Sequence, residues 1–346
     1  MPPFLRLPGG VGQPTYVPRL GTRRNAFYDG RVSVGSRPLV PSRLAPAALG
    51  HTSRRSPRTL IGGYIALTKP RIIELLLITT VPTMILAQRG WPSTTLVLVT
   101  LVGGTLAAGG ANAINMYVDR DIDRLMVRTQ GRPLVTGLIE PTHALVFAVS
   151  LEVLAFAVLW GGANLLSACL ALSATLFYVF VYTMWLKRTS RQNIVIGGAA
   201  GAVPVLVGWS AVQNNVTWTP VVLFAVIFMW TPPHFWALAI RHIDDYRAAH
   251  VPMLPAVAPM SRVLREMQIY TVVMVAFTLA LVPVADLGPI YAIGAVVLGG
   301  LFIGGTIALS HQPSPQKAMR LFGYSISYIT LLFGVLTLDV FIRFGF

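Results

Sequence analysis

The sequence predicts an all-α polytopic membrane protein with nine transmembrane helices. Three observations carry that expectation. Of 346 residues, 54% are hydrophobic and only 11% are charged, against about 25% charged in a soluble domain. Apolar runs near the roughly 20-residue length of a membrane span alternate with short polar loops beyond residue 58. The basic residues of those loops fall on alternate connections, as the positive-inside rule requires. The composition excludes a disordered chain and a coiled coil. The single cysteine, Cys169, excludes an internal disulfide framework and covalent haem attachment through a C-x-x-C-H motif.

The chain opens with a basic tail. Residues 1–58 carry ten Arg and one acid, Asp29, which accounts for +9 of the formal net charge of +15. The tail is rich in Pro, Gly and Ser, lacks an apolar core of signal-peptide type, and reads as disordered. A mitochondrial transit peptide, a basic arm on an anionic membrane surface and an over-extended start codon all fit it. The uneven placement of charge argues for membrane topology and against a nucleic-acid partner.

Residues 59–346 form the membrane domain. Its spans are expected at 68–88, 94–116, 141–161, 165–186, 194–212, 218–240, 268–286, 289–310 and 321–342. The first is the weakest, because Glu74 and Pro82 interrupt it. Glycine pairs such as Gly109-Gly110 and Gly197-Gly198 mark places where helices approach closely. With the N-terminus in the cytoplasm, the inner loops collect Arg120, Arg124, Arg128, Arg132, Lys187, Arg188, Arg191, Arg241, Arg247, Arg262, Arg265, Lys317 and Arg320, whereas Arg89 stands almost alone outside. The long loops, 117–140 and 241–267, are also inner.

The chemistry gathers at that inner rim. The second span runs into Asn115, Asp119 and Asp123, spaced i, i+4, i+8. On a helix these share one stripe about 12 Å long. Two acids one turn apart repel, and a membrane edge adds a desolvation cost. A divalent cation removes both penalties, and Mg²⁺ is bound by a few carboxylates together with phosphate oxygens. The competing reading is a solvated helix end paired with nearby arginines. Basic residues stand at the same level: Lys69 and Arg71 at the start of the first span, Arg128 and Arg132 after the acids, Lys187 and Arg188 after the fourth span. They suit a metal-bound diphosphate.

Further along, Pro232 and Pro233 are expected to break the sixth span. His234 and Trp236 follow them, then His242 and Asp245, the latter a candidate second acidic site. His234 is either an acceptor contact or a buried histidine bonded to a carbonyl freed by the prolines. Tyr178, Tyr182 and Trp185 lie at helical spacing on the fourth span, where ring faces could steady a carbocation; lipid-facing packing explains them equally. Glu74, Glu152 and Asp339 are intramembrane acids that need partners. Arg343, four residues on, is the expected partner of Asp339, and Glu152 has none legible. A transporter remains a different class of reading, but the acids cluster at one face and form no path across.

These motifs resemble a known family. Thr68-Lys-Pro-Arg71, Asn115-x-x-x-Asp119-x-x-x-Asp123, Arg128-Thr-x-x-Arg132-Pro and Tyr182-Thr-x-x-Leu186-Lys-Arg resemble those of the UbiA-type intramembrane prenyltransferases. Trp230-Thr-Pro-Pro-His-Phe-Trp236 and Val251-Pro-Met-Leu-Pro255 resemble the protoheme IX farnesyltransferase (haem O synthase) branch, and the likeness spans about 60–346. The resemblance implies nine helices around a central cavity open to the cytoplasmic side. It implies Mg²⁺ as cofactor, farnesyl diphosphate and haem B as substrates, and haem O plus diphosphate as products. It implies metal ligation by Asp119, Asp123 and Asn115, and a catalytic part for Asp245. Diphosphate binding falls to Lys69, Arg71, Arg128, Arg132, Lys187 and Arg188. Haem contact falls to His234, His242 and Trp236, and a prenyl pocket to Tyr178, Tyr182 and Trp185. The alternative is a relative acting on a hydroxybenzoate, a quinone precursor or a chlorophyll-type ring. The implied setting is a bacterial plasma membrane, or else a mitochondrial inner membrane, with haem A synthase or oxidase assembly factors as contacts. One departure is that Arg241 and Ala249 flank Asp245 where a second Asp-x-x-x-Asp would place acids.

Overall fold

The structure, a computed structural model, describes residues 57–345, the side chains at 71, 72 and 74–77 excepted. The expected tail lies outside the described residues, apart from Pro57 and Arg58, which open the first helix. In chain order the helices are α1 (Pro57–Thr68), α2 (Pro70–Gln88), α3 (Thr94–Val118), α4 (Arg120–Asp123), α5 (Pro141–Gly162), α6 (Leu165–Leu176), α7 (Lys187–Thr189), α8 (Asn193–Gln213), α9 (Trp218–Arg241), α10 (Ile243–Ala248), α11 (Leu254–Val257), α12 (Met260–Val284), α13 (Pro289–His311) and α14 (Pro315–Phe344). A π-helical segment, Phe177–Leu186, joins α6 to α7, so 165–189 is one continuous rod of 25 residues.

Among the described residues, eight helices are long and apolar enough to cross a membrane, starting at Thr94, Pro141, Leu165, Asn193, Trp218, Met260, Pro289 and Pro315. The first expected span is α2, 19 residues long, with Ile78–Gln88 as its described apolar stretch. It packs along α8 and α14 as a full member of the bundle. The chain before it is also helical: α1 runs beside α3, with Leu67 packed among Ala113 and Met116.

Consecutive long helices pack on one another, and α14 returns to α2 and α9, which closes the bundle. Close approach is built from missing side chains. A Cβ on Gly208 of α8 would lie 2.7 Å from the Thr80 carbonyl oxygen of α2. One on Gly110 of α3 would lie 2.9 Å from the Ala148 carbonyl oxygen of α5. Without a hydrophobic drive between helices in lipid, such contacts supply van der Waals packing.

Two expectations change here. α9 runs unbroken through Pro232 and Pro233. Its register is held from outside: Thr231 packs on Gly198 of α8, and Trp230 and His234 bond Ser325 of α14. Neighbouring helices make prolines tolerable inside a span. Asp339 is fully buried and does not pair with Arg343. It accepts from the backbone N–H groups of Gly288 (2.6 Å) and Tyr291 (3.2 Å), capping α13 from the neighbouring helix. Arg343 turns to Asp286 instead, 3.3 Å away, where Arg89 also stands at 4.0 Å. Exposed Trp91, Trp160 and Trp218 lie at this same end, as interfacial tryptophans do. The acids Asp119 and Asp123 lie at the other.

Candidate active site

The acid stripe forms as the spacing predicts. α3 ends at Val118, Asp119 keeps near-helical backbone angles, and α4 resumes at Arg120. The hydrogen bonds Asp119 N to Asn115 O and Asp123 N to Asp119 O, each 2.9 Å, carry the helical course across the junction. Asn115, Asp119 and Asp123 are therefore stacked, and they are 3%, 0% and 1% exposed.

Four basic side chains converge on them. Lys187 Nζ donates to Asp119 Oδ2, and Arg132 Nη1 to Asp123 Oδ2 at 2.5 Å. Arg188 grips Asp121 with two bonds of 2.7 Å and reaches within 3.7 Å of Asp119 Oδ1. Its hydrogen bond holds the Asp121 carboxyl at about 2. Lys69 Nζ donates to Asn115 Oδ1 at 2.8 Å. Lys69 sits between α1 and α2 with φ 54° and ψ 63°, left-handed without being glycine, a conformation that costs about 1–3 kcal/mol and clusters at functional sites. Burial, with Arg132 and Lys187 acting in the same sense, pushes its ammonium down to about 7. The hydroxyl of Thr129 donates to the Asp123 carbonyl oxygen (2.7 Å), folding the chain back so that Arg132 meets Asp123.

Asn115 has a defined orientation. Its amide N–H groups go to Asp119 Oδ2 (2.8 Å) and Thr183 Oγ1 (3.0 Å), while Lys69 takes its oxygen. In this arrangement Asn115 orients Asp119, and its oxygen keeps a second lone pair beside the bond from Lys69. Thr183 stands in the motif Tyr182-Thr-x-x-Leu186-Lys-Arg, but the sequence assigned it no role. Its hydroxyl donates to Tyr178 O, five residues back, at 2.8 Å, inside the π-helical turn.

That turn also separates the three aromatics. Tyr178 and Tyr182 stack, centroids 5.3 Å apart. Trp185 is 61% exposed and does not join them. At 3.6 residues per turn a seven-residue step returns to the same face; at roughly 4.4, the pitch of an i→i+5 ladder, it arrives on the opposite one.

The remaining candidates lie on α9 and beyond. Asp245 accepts from Val127 N (3.1 Å) and stands 3.6 Å from His242 Nδ1, so it holds the loop after α4 against α10. His242 is pushed below the usual imidazole range, by burial first and then by the charge of Arg128. Buried His234 is stacked between Trp230 (4.1 Å) and Phe322 (4.6 Å). Trp236 is fully buried against Tyr270, its indole N–H without a hydrogen-bond partner among the described residues. The side chains of Arg71 and Glu74 lie outside the described residues. Glu152 has a partner the sequence did not reveal, Thr175 Oγ1 at 3.1 Å.

A metal fits this donor set. Asp119 Oδ1 is buried and receives no hydrogen bond, which is costly unless something else meets it. Among the described residues no three His, Cys, Asp or Glu side chains converge. A metal here would complete its shell with phosphate oxygens and water, which is the habit of Mg²⁺.

Known proteins share both sequence and fold. The model of the UbiA prenyltransferase family matches residues 76–333. Protoheme IX farnesyltransferase of Paenarthrobacter aurescens is 54% identical over 284 residues, covering 81% of this chain and 89% of that protein. That of Frankia alni is 55% identical over 276 residues, covering 79% and 96%. Among solved structures, a digeranylgeranylglyceryl phosphate synthase superposes with TM-score 0.68 at 17% identity, covering 81% of this chain and 98% of that one. A UbiA homologue from Archaeoglobus fulgidus bound to GPP and Mg²⁺ superposes with TM-score 0.58 at 18% identity, covering 79% and 99%; at such identities the likeness speaks for the fold. The acid stripe, its basic surround and these relatives agree: the chain belongs to the UbiA prenyltransferase family.

Proposed function

We propose that the protein transfers a farnesyl group from farnesyl diphosphate to a vinyl group of haem B, with addition of water, releasing haem O and diphosphate. The observation that carries this reading is the buried pair Asp119 and Asp123 bound by Lys187 and Arg132, in a chain more than half identical to protoheme IX farnesyltransferases.

Asp119 and Asp123 would hold Mg²⁺, with Asp119 Oδ1 the buried oxygen that receives no hydrogen bond. When bound, Mg²⁺ draws charge from the diphosphate as the allylic carbon–oxygen bond breaks. Lys69, Arg132, Lys187 and Arg188 stand around the acids to take the rest of that charge. Tyr178 and Tyr182 present stacked ring faces to the allylic cation. The farnesyl carbon then bonds to the outer vinyl carbon. Water gives hydroxyl to the inner one and its remaining proton to solvent. Asp245 acts at a distance from these atoms, by keeping the loop that bears Arg128 and Arg132 in place.

The basic end faces the cytoplasm and the tryptophan-lined end the opposite side, following the positive-inside rule. The setting is a plasma membrane, with α2 as the ninth crossing. The product suits haem-copper oxidases. The test is Asp119→Asn combined with Asp123→Asn, assayed for haem O in membranes. Abolished formation with protein present is expected; undiminished formation refutes the metal role. Offering membranes hydroxybenzoate in place of haem B distinguishes the haem branch from relatives with other acceptors.

A further inference from the structure

A second basic cleft lies on the far side of the acid stripe. Asp121 stands about 200° around the helix from Asp119, and its side chain is 60% exposed, so it points away from the stripe. There it borders a cleft of about 370 Å³, lined by Val118, Arg120, Asp121, Met184 and Arg188. Ligand pockets run from roughly 300 to 1,000 Å³. The walls combine two chemistries. Arg120 and Arg188 bring guanidinium groups, Val118 and Met184 an apolar surface. Met184 is 50% exposed and its neighbour Trp185 61%. Trp185 lies two residues before Lys187, at the basic end of the bundle, and an exposed tryptophan there marks the membrane–water boundary.

The charges of the cleft do not cancel. Two guanidinium groups meet one carboxylate, which leaves one positive charge. Arg188 is committed: it grips Asp121 with both terminal nitrogens and donates to the Val118 carbonyl oxygen at 3.1 Å. Arg120 is not. It lies over the Tyr117 ring, 4.6 Å from the centroid, and donates to the Tyr117 carbonyl oxygen at 2.7 Å. That uses one of the five N–H groups of a guanidinium, and Arg120 pairs with no carboxylate among the described residues. A phosphodiester carries a single negative charge and matches what remains; a diphosphate carries several and suits the four cations around the acids. Basic pockets between membrane helices on the cytoplasmic side bind anionic headgroups. We propose that this cleft binds an anionic phospholipid from the leaflet at the basic end, its phosphodiester on Arg120 and Arg188 and its chain along Met184 and Val118. The proposal is independent of which acceptor the enzyme prenylates. Arg188 links the cleft to the acids, since it also stands 3.7 Å from Asp119 Oδ1.

The experiment titrates the full chain in detergent with phosphatidylglycerol or phosphatidylcholine carrying bromine-labelled chains, and reads quenching of tryptophan fluorescence. Phosphatidylglycerol should bind about fivefold or more tighter, the scale of one unopposed basic residue near a membrane surface. Trp185→Phe should remove most of the saturable quenching, which places the lipid beside Met184. Arg120→Ala should weaken phosphatidylglycerol about fivefold and leave phosphatidylcholine unchanged, while Arg120→Lys keeps the preference. Asp121→Asn removes the opposing carboxylate and should tighten phosphatidylglycerol. One arm needs no variant: at about 1 M salt, where the screening length falls to roughly 3 Å, the wild-type preference should vanish. Equal affinity for the two lipids at low salt overturns the proposal, as does a preference that survives Arg120→Ala in folded protein. Displacement of phosphatidylglycerol by millimolar inorganic phosphate also overturns it, because the cleft would then be a site for the free anion.

Discussion

At the scale of single residues, burial separates the acids that matter to the diphosphate from those that do not. Asp119 is fully buried, whereas the Asp121 side chain is 60% exposed although Arg188 grips it with two bonds. Asp119→Asn removes a candidate metal ligand and leaves Lys187 facing a neutral amide. Farnesyl transfer should fall on the order of 10²–10³-fold, the scale of losing one preorganised electrostatic partner. Asp121→Asn removes an exposed pair, worth about 0–1 kcal/mol, and should change the rate roughly fivefold or less. Steady-state rates on reconstituted membranes check both, and equal losses would refute the distinction. Thr183 is the residue-scale surprise. Thr183→Val keeps the shape but strands an N–H of buried Asn115, at about 1–3 kcal/mol. Activity should drop about tenfold and Thr183→Ser should recover it. The stripe Asn115, Asp119, Asp123 was legible because its spacing matches a helix. Thr183 was not, because its role depends on a partner 68 residues away.

At the scale of elements, what the sequence concealed is where tertiary contact overrides local preference. Nothing in Phe177–Leu186 marks a π-helix. The wider turn goes together with Thr183 bonding both Asn115 and Tyr178, and it alone sends Trp185 to the outer surface. Likewise Pro232-Pro233 reads as a break, yet contacts to α8 and α14 carry α9 through. Asp339 reads as the i, i+4 partner of Arg343, but the N-terminus of α13 competes for it with two N–H donors. Asp339→Ala should therefore destabilise the protein by about 0.5–2 kcal/mol, the range for a lost helix cap. Arg343→Ala should cost less, since its partner Asp286 is 70% exposed. Thermal unfolding in detergent orders the two. Helix contact gives a second comparison. Gly208→Ala drives a methyl against the Thr80 backbone, whereas Gly300 has nothing within 4 Å of its Cβ position. Only the first should lower the melting temperature, overpacking typically costing about 1–3 kcal/mol.

At the scale of the molecule, the apolar runs and the one-sided placement of basic residues made the membrane bundle legible, because span length and loop charge are set by the bilayer and not by tertiary detail. The same charges frame a property of the whole site. Lys187 and Arg132 neutralise Asp119 and Asp123 through direct ion pairs. Mg²⁺ alone must displace those cations and leave them buried without partners. Diphosphate alone must pull them away and leave the acids unpaired. Either step strips compensation from buried charge, which is costly. Together the two ligands exchange partners with the site, acids to metal and cations to phosphate, and no charge is abandoned. Mg²⁺ or inorganic diphosphate added singly should thus raise the melting temperature little. The pair should stabilise the fold by about 2.7 kcal/mol at roughly 100 times the dissociation constant, and the synergy should vanish in Asp119→Asn combined with Asp123→Asn. Differential scanning fluorimetry reads all four conditions. A full shift from Mg²⁺ alone would mean that the acids are free to bind metal without the basic residues letting go.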